Sequence, residues 1–116
     1  LRGSRILLIG LAYKKDVDDL RESPALKLID LLEERGARTD YHDPFIPTIK
    51  ETREYPHLMG RQSVGLEELE AFDCVLIATN HSRVDYRDLA ARASLIVDTR
   101  NAMNGLEGLG ATVFKA

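Results

Sequence analysis

Apolar residues in this chain fall in short unbroken runs, and between the runs they recur every three or four positions. The stretch 5–9, Arg5 followed by four apolar residues and closed by Gly10, reads as a buried strand. Ala25, Leu28, Ile29 and Leu32 then follow the i, i+3, i+4, i+7 stripe of an amphipathic helix. Lys27, Asp30, Glu33 and Glu34 take its outer faces, and Gly36 supplies a stop tolerant of left-handed geometry. Residues 39–42 predict a short second strand, halted by Asp43-Pro44. Strand, helix, strand predicts a parallel pair joined by a right-handed crossover. Further on, 66–72 predicts a short helix leading into a buried strand at 73–78. A second crossover helix is expected at 85–93, a strand at 94–97 and an edge strand at 111–114. The stretch 45–64, interrupted by Pro47, Pro56 and Gly60, has no clear period.

Helices alternating with apolar strands predict a Rossmann-like three-layer α/β/α domain, its sheet mostly parallel and of about five strands. In such a sheet the C-terminal strand ends share one rim. That rim would collect residues 10–23, Asp43, 79–82 and 98–101, four loops rich in hydrogen-bonding groups. Open α/β sheets bind their ligands there, and Lys14, Arg21 and Arg100 on the same rim favour a small anionic one.

Composition narrows the class. A chain of 116 residues is enough for one domain, 1–116, with a core of its own. Its 44% hydrophobic and 30% charged content are those expected of a soluble globular protein. A net charge of −3 argues against general nucleic-acid binding, and no apolar run approaches a membrane span. The single cysteine, Cys74, excludes an internal disulfide and makes a cytoplasmic compartment the expectation. The chain begins at Leu1 rather than at a methionine, so a piece of a longer polypeptide is expected.

The first loop carries most of the candidate chemistry. From 11 to 23 it spans thirteen residues, where strand-to-helix turns usually take about two to six. Lys14, Lys15 and Arg21 stand among Asp16, Asp18, Asp19 and Glu22, and Ser23-Pro24 reads as a helix start. Separated cations beside a helix N-terminus suit a phosphate; a solvated loop pinned by its own ion pairs is the alternative. Gly10 does not open a dinucleotide fingerprint, because Ala12 and Lys15 stand where glycines would be needed. Asp43 matches the place of a ribose-binding acid, yet before Pro44 it reads as a turn residue. A phospho-acceptor domain would need an aspartate where Ala78-Thr79-Asn80 stands. Asp16, Asp18 and Asp19 lack the spacing of a calcium loop, and His42, His57 and His81 lack that of a metal site. Cys74, inside an apolar strand, reads as a buried structural thiol rather than a nucleophile. No catalytic residue and no metal ligand is assigned.

Gly10, Ala12, Tyr13, Lys14, Asp19, Arg21, Ser23 and Pro24 meet every fixed position of a longer pattern, G-x-A-[YF]-K-x-x-x-x-D-x-R-x-S-P. With Asp43-Pro44, Phe72-Asp73, Thr79 and Asp98-Thr99-Arg100, the chain resembles, over nearly its whole length, the C-terminal, nucleotide-sugar-binding domain of the UDP-glucose/GDP-mannose dehydrogenase family. Within that family residues 18–24, 41–47 and 78–81 are most similar to bacterial UDP-N-acetylglucosamine 6-dehydrogenases. The resemblance implies an NAD-dependent enzyme that oxidises sugar C6 from alcohol to carboxylate, with NAD held mainly by an N-terminal domain and the nucleophile in a central one. It implies that Tyr13, Lys14 and Arg100 contact the UDP-sugar and that Arg21 approaches NAD across the domain interface. Those two domains would be partners within one polypeptide, the full-length form a homo-oligomer, and the present chain inactive alone. A free-standing nucleotide-binding module, or an interaction domain whose rim charges pair only with each other, remain alternatives.

Overall fold

A computed structural model describes residues 2–12, 14–16, 23–50, 52, 54–106 and 108–115. Five strands form one sheet: β1 (Arg5–Ile9), β2 (Arg38–His42), β3 (Cys74–Ile77), β4 (Leu95–Asp98) and β5 (Thr112–Lys115). Two helices cross over between them, α1 (Ala25–Glu34) and α2 (Tyr86–Arg92). The strand order is β2-β1-β3-β4-β5 and every pairing is parallel, so the sheet is wholly rather than mostly parallel.

Period-two alternation along β1 divides the core between two faces. Ile6 and Leu8 pack with Ala25, Leu26 and Ile29 of α1. Leu7 and Ile9 pack on the opposite side with Leu89 and Ala90 of α2, joined by Leu69, Phe72 and Met103. Burial on both faces explains why β1 is an unbroken apolar run after Arg5. The stripe on α1 is wider than its period suggested: Leu26 is buried, whereas Leu28 and Leu32 are only partly so.

Caps confirm the helix boundaries. Ser23 Oγ accepts from Ala25 N–H at 3.2 Å, as a hydroxyl before a helix should. At the other end Gly36 has φ +92°, and the N–H groups of Gly36 and Ala37 return to the carbonyls of Glu33 and Leu32. This is the paired closure that a left-handed residue after a helix allows. Asp85 caps α2 by accepting from Asp88 N–H.

The helix expected at 66–72 shrinks to a 3-10 turn, Leu69–Ala71. Arg92 of α2 donates to the carbonyls of Leu66 and Glu67, and Leu66 O also accepts from Leu69 N–H within the turn. A stretch this short carries the nucleation cost of a helix with little propagation to offset it. Arg92 also grips Glu70 and Asp88, and its hydrogen bonds hold the Glu70 carboxyl down at about 2.

Candidate functional site

Chain order reverses direction between β1 and β3, since β1 leads through α1 to β2 on one side and the later strands lie on the other. The C-terminal ends of β1 and β3 therefore flank the crevice where sheets of this kind bind ligands.

Gly10 sits at the end of β1 with φ +86° and donates its N–H to His42 O. A Cβ built there would lie 2.2 Å from Thr79 O, so only glycine lets the two strand ends approach this closely. Thr79 Oγ1 donates to Ala12 O at 2.7 Å, binding the β3 exit to the β1 exit. Ser23 Oγ donates to Leu11 O at 2.7 Å. The long connection to α1 thus starts and finishes at one place.

Asp43 is the organising acid of the rim. Fully buried, its Oδ2 accepts from Leu11 N–H (2.7 Å), Ala12 N–H (3.1 Å) and His81 Nε2 (2.8 Å), while Oδ1 accepts from Phe45 N–H (2.7 Å). The Phe45 bond is the Asx turn that Asp-Pro suggested. With both oxygens taken, Asp43 has no acceptor turned toward a ribose. Asp98 plays the same part at the end of β4, accepting from the N–H groups of Arg100, Ala102 and Met103. Neither role was assigned from sequence. The available signal was a polar residue closing each apolar strand just before a turn.

Lys14 and Arg100 both border the segment that leaves β3. Lys14 is exposed and lies between Ala12, bonded to Thr79, and Asp16, bonded to His81 and Ser82. Arg100, also exposed, donates from Nε to Ala78 O at 2.8 Å. That bond orients the guanidinium plane while its Nη groups have no partner among the described residues. Tyr13 and Arg21 lie outside the described residues, as do Asp18 and Asp19. Asp16, the remaining acid of that cluster, directs its carboxylate at the N–H and hydroxyl of Ser82, which hold it below the usual aspartate range.

Of three other features, two fall away from the rim chemistry. Cys74 is half-buried rather than buried, because β3 turns it to a face that α1 covers incompletely. Burial and then Asp73 push its thiol up, the reverse of what a nucleophile needs. His81, not offered as a metal ligand because the three histidines lack ligand spacing, proves fully buried and bonded to Asp43 on the rim. A cleft of about 660 Å³ lies along β2 instead, lined by Glu33, Arg38, Tyr41 and Arg61 among others. The Arg61 guanidinium there already forks onto both oxygens of Glu33, so two of its donors are engaged.

Comparison with known proteins agrees with the fold. The sequence pattern of the UDP-glucose/GDP-mannose dehydrogenase family, UDP binding domain, matches residues 7–105. A UDP-glucose 6-dehydrogenase of Rickettsia typhi is 29% identical over 110 residues, covering 90% of this chain and 25% of that protein. A UDP-N-acetyl-D-mannosamine dehydrogenase of Pyrococcus horikoshii is 31% identical over 102 residues, covering 83% of this chain and 21% of that protein. Among solved structures, a UDP-glucose dehydrogenase of Pyrobaculum islandicum superposes with a TM-score of 0.71 at 29% identity, covering 97% of this chain and 25% of that one. The chain spans about a quarter of the length of the curated relatives it matches.

Proposed function

The chain belongs to the UDP-glucose/GDP-mannose dehydrogenase family, as its UDP-binding domain, and from that premise we propose that residues 1–116 hold the nucleotide-sugar of an NAD-dependent UDP-sugar 6-dehydrogenase. The observation that supports this most is the flanking of one strand exit, β3, by two cation-bearing loops at the switch in chain direction. Lys14 supplies a point charge for the diphosphate and Arg100 a planar fork for phosphate or sugar oxygens. Tyr13 offers a flat face to the nucleotide. The sugar is N-acetylglucosamine, on the strength of the motifs at 18–24, 41–47 and 78–81; the relatives above are named for glucose and N-acetylmannosamine.

NAD does not fit this chain as its resident group. Gly10, the one glycine placed to open a pyrophosphate cradle, has its open side filled by the Thr79 backbone. The cofactor would lie mainly on an N-terminal domain of the same polypeptide, with Arg21 reaching it across the interface, and would accept hydride as sugar C6 goes from alcohol to carboxylate. The chain by itself is inactive, the full-length form is a cytoplasmic homo-oligomer, and its product feeds polysaccharide assembly.

Titration of the chain with UDP, followed by amide chemical shifts, tests the reading. Shifts concentrated at 11–16, 78–82 and 98–101 are expected. Shifts confined to the β2 cleft, or none at millimolar UDP, would reject it in favour of an interaction domain.

A further inference from the structure

His81 is the one fully buried imidazole, and both its nitrogens are engaged. Nδ1 lies 2.7 Å from the backbone nitrogen of Asp16. A backbone N–H can only donate, so Nδ1 accepts and the ring proton is on Nε2. From Nε2 that proton is donated to Asp43 Oδ2, the same oxygen that takes the N–H groups of Leu11 and Ala12. One ring therefore ties both flanks of residues 12–16: the near flank through Asp43, the far flank directly at Asp16. Lys14 stands between them.

The backbone at Asp16 is shaped for this contact. Its φ of 60° is the left-handed conformation that aspartate tolerates better than most residues. In that conformation its N–H meets the buried ring while its carboxylate meets Ser82. Phe45 packs on the ring at 4.8 Å between centroids, and Tyr86 donates its hydroxyl to His81 O, so the imidazole cannot swing away without breaking several contacts.

The geometry points to His81 as a positioning residue: its Nε2–H tautomer, bridging Asp43 and Asp16, sets the turn that presents Lys14 to the diphosphate. This rests on the nucleotide-binding reading above. A ring that merely filled space would be replaceable by any side chain keeping the fold, whereas the bridge requires a donor and an acceptor on opposite edges of one plane. Neither carboxamide supplies both at that spacing. His81→Asn retains a group near Nδ1 but withdraws from Asp43; His81→Gln reaches Asp43 but leaves the Asp16 N–H unpaired.

The test uses the 116-residue chain with UDP as the probe. In the wild type, long-range proton–nitrogen correlation is expected to show the Nε2–H tautomer, and the Asp16 amide to exchange far more slowly than that of exposed Lys15. Both variants are expected to keep cooperative melting and to bind UDP about tenfold more weakly, and the Gln variant to release the Asp16 amide to exchange. Variants with wild-type UDP affinity would overturn the proposal. So would an Nδ1–H tautomer or a freely exchanging Asp16 amide in the wild type, both readable even if the variants fail to fold. A wild type with the expected tautomer and exchange but no UDP-induced shift would instead refute the nucleotide reading, and the positioning role with it.

Discussion

Replacing Gly10 by alanine separates two costs that glycine usually hides. One is backbone strain: an L-residue held at positive φ costs roughly 1–2 kcal/mol. The other is steric, since the new methyl carbon would start 2.2 Å from Thr79 O and 2.8 Å from Thr79 C. These are backbone atoms of a neighbouring strand end, so relief requires moving β3 away from β1, at about 1–3 kcal/mol. Gly60 provides the control. Its φ is +89°, close to the +86° of Gly10, yet nothing lies within 4 Å of its built Cβ. Both substitutions also stiffen the unfolded chain by the same amount, which cancels in the comparison. Gly10→Ala is therefore expected to destabilise the domain by about 1–3 kcal/mol more than Gly60→Ala. At this chain length that is a further fall in Tm of about 4–12 °C. Urea unfolding at constant slope gives the free energies directly. Equal costs for the two variants would refute the claim that close approach of the β3 exit is what demands glycine at position 10.

Three further outcomes are expected. Asp85→Ala removes the side-chain acceptor for Asp88 N–H at the start of α2 and should cost about 1 kcal/mol by urea unfolding; an unchanged midpoint would show that the cap contributes nothing. Burial alone would raise the Glu33 carboxyl, but the Arg61 fork and the Thr39 hydroxyl outweigh it and hold it below the ordinary glutamate range. Because the folded value is the lower one, the pair's contribution is present above the ordinary glutamate value and is lost as pH falls through the folded value. Arg61→Ala should accordingly lower Tm slightly near about pH 7 and progressively less toward about pH 3, the pair being worth under about 1 kcal/mol; a pH-independent difference would contradict it. On the proposed reading, Lys14→Ala in the full-length protein should raise KM for the nucleotide-sugar about tenfold, the loss of a charge-assisted hydrogen bond, with a smaller effect on NAD affinity. The reverse ranking would reject the assignment of Lys14 to the substrate.

Sequence pattern alone determined the alternation of strands and helices, and with it the parallel sheet and the shared rim. The reason is physical: a strand buried on both faces must be apolar throughout, as 6–9 is, and a helix on one face must show a stripe, as 25–32 does. Local chemistry also marked the boundaries at Ser23-Pro24, Gly36 and Asp43, since caps and turns act over two or three residues. Tertiary structure decided everything that depends on residues far apart in the chain. Asp43 and His81 meet across 38 positions, Ala12 and Thr79 across 67, and no periodicity encodes such a pairing. Residues 66–72 likewise close as a 3-10 turn rather than a helix, tied to α2 by Arg92 across 25 and 26 positions. The same folding gave Gly10 its purpose: the motif marked it as required, and only the assembled sheet brought the Thr79 backbone that requires it.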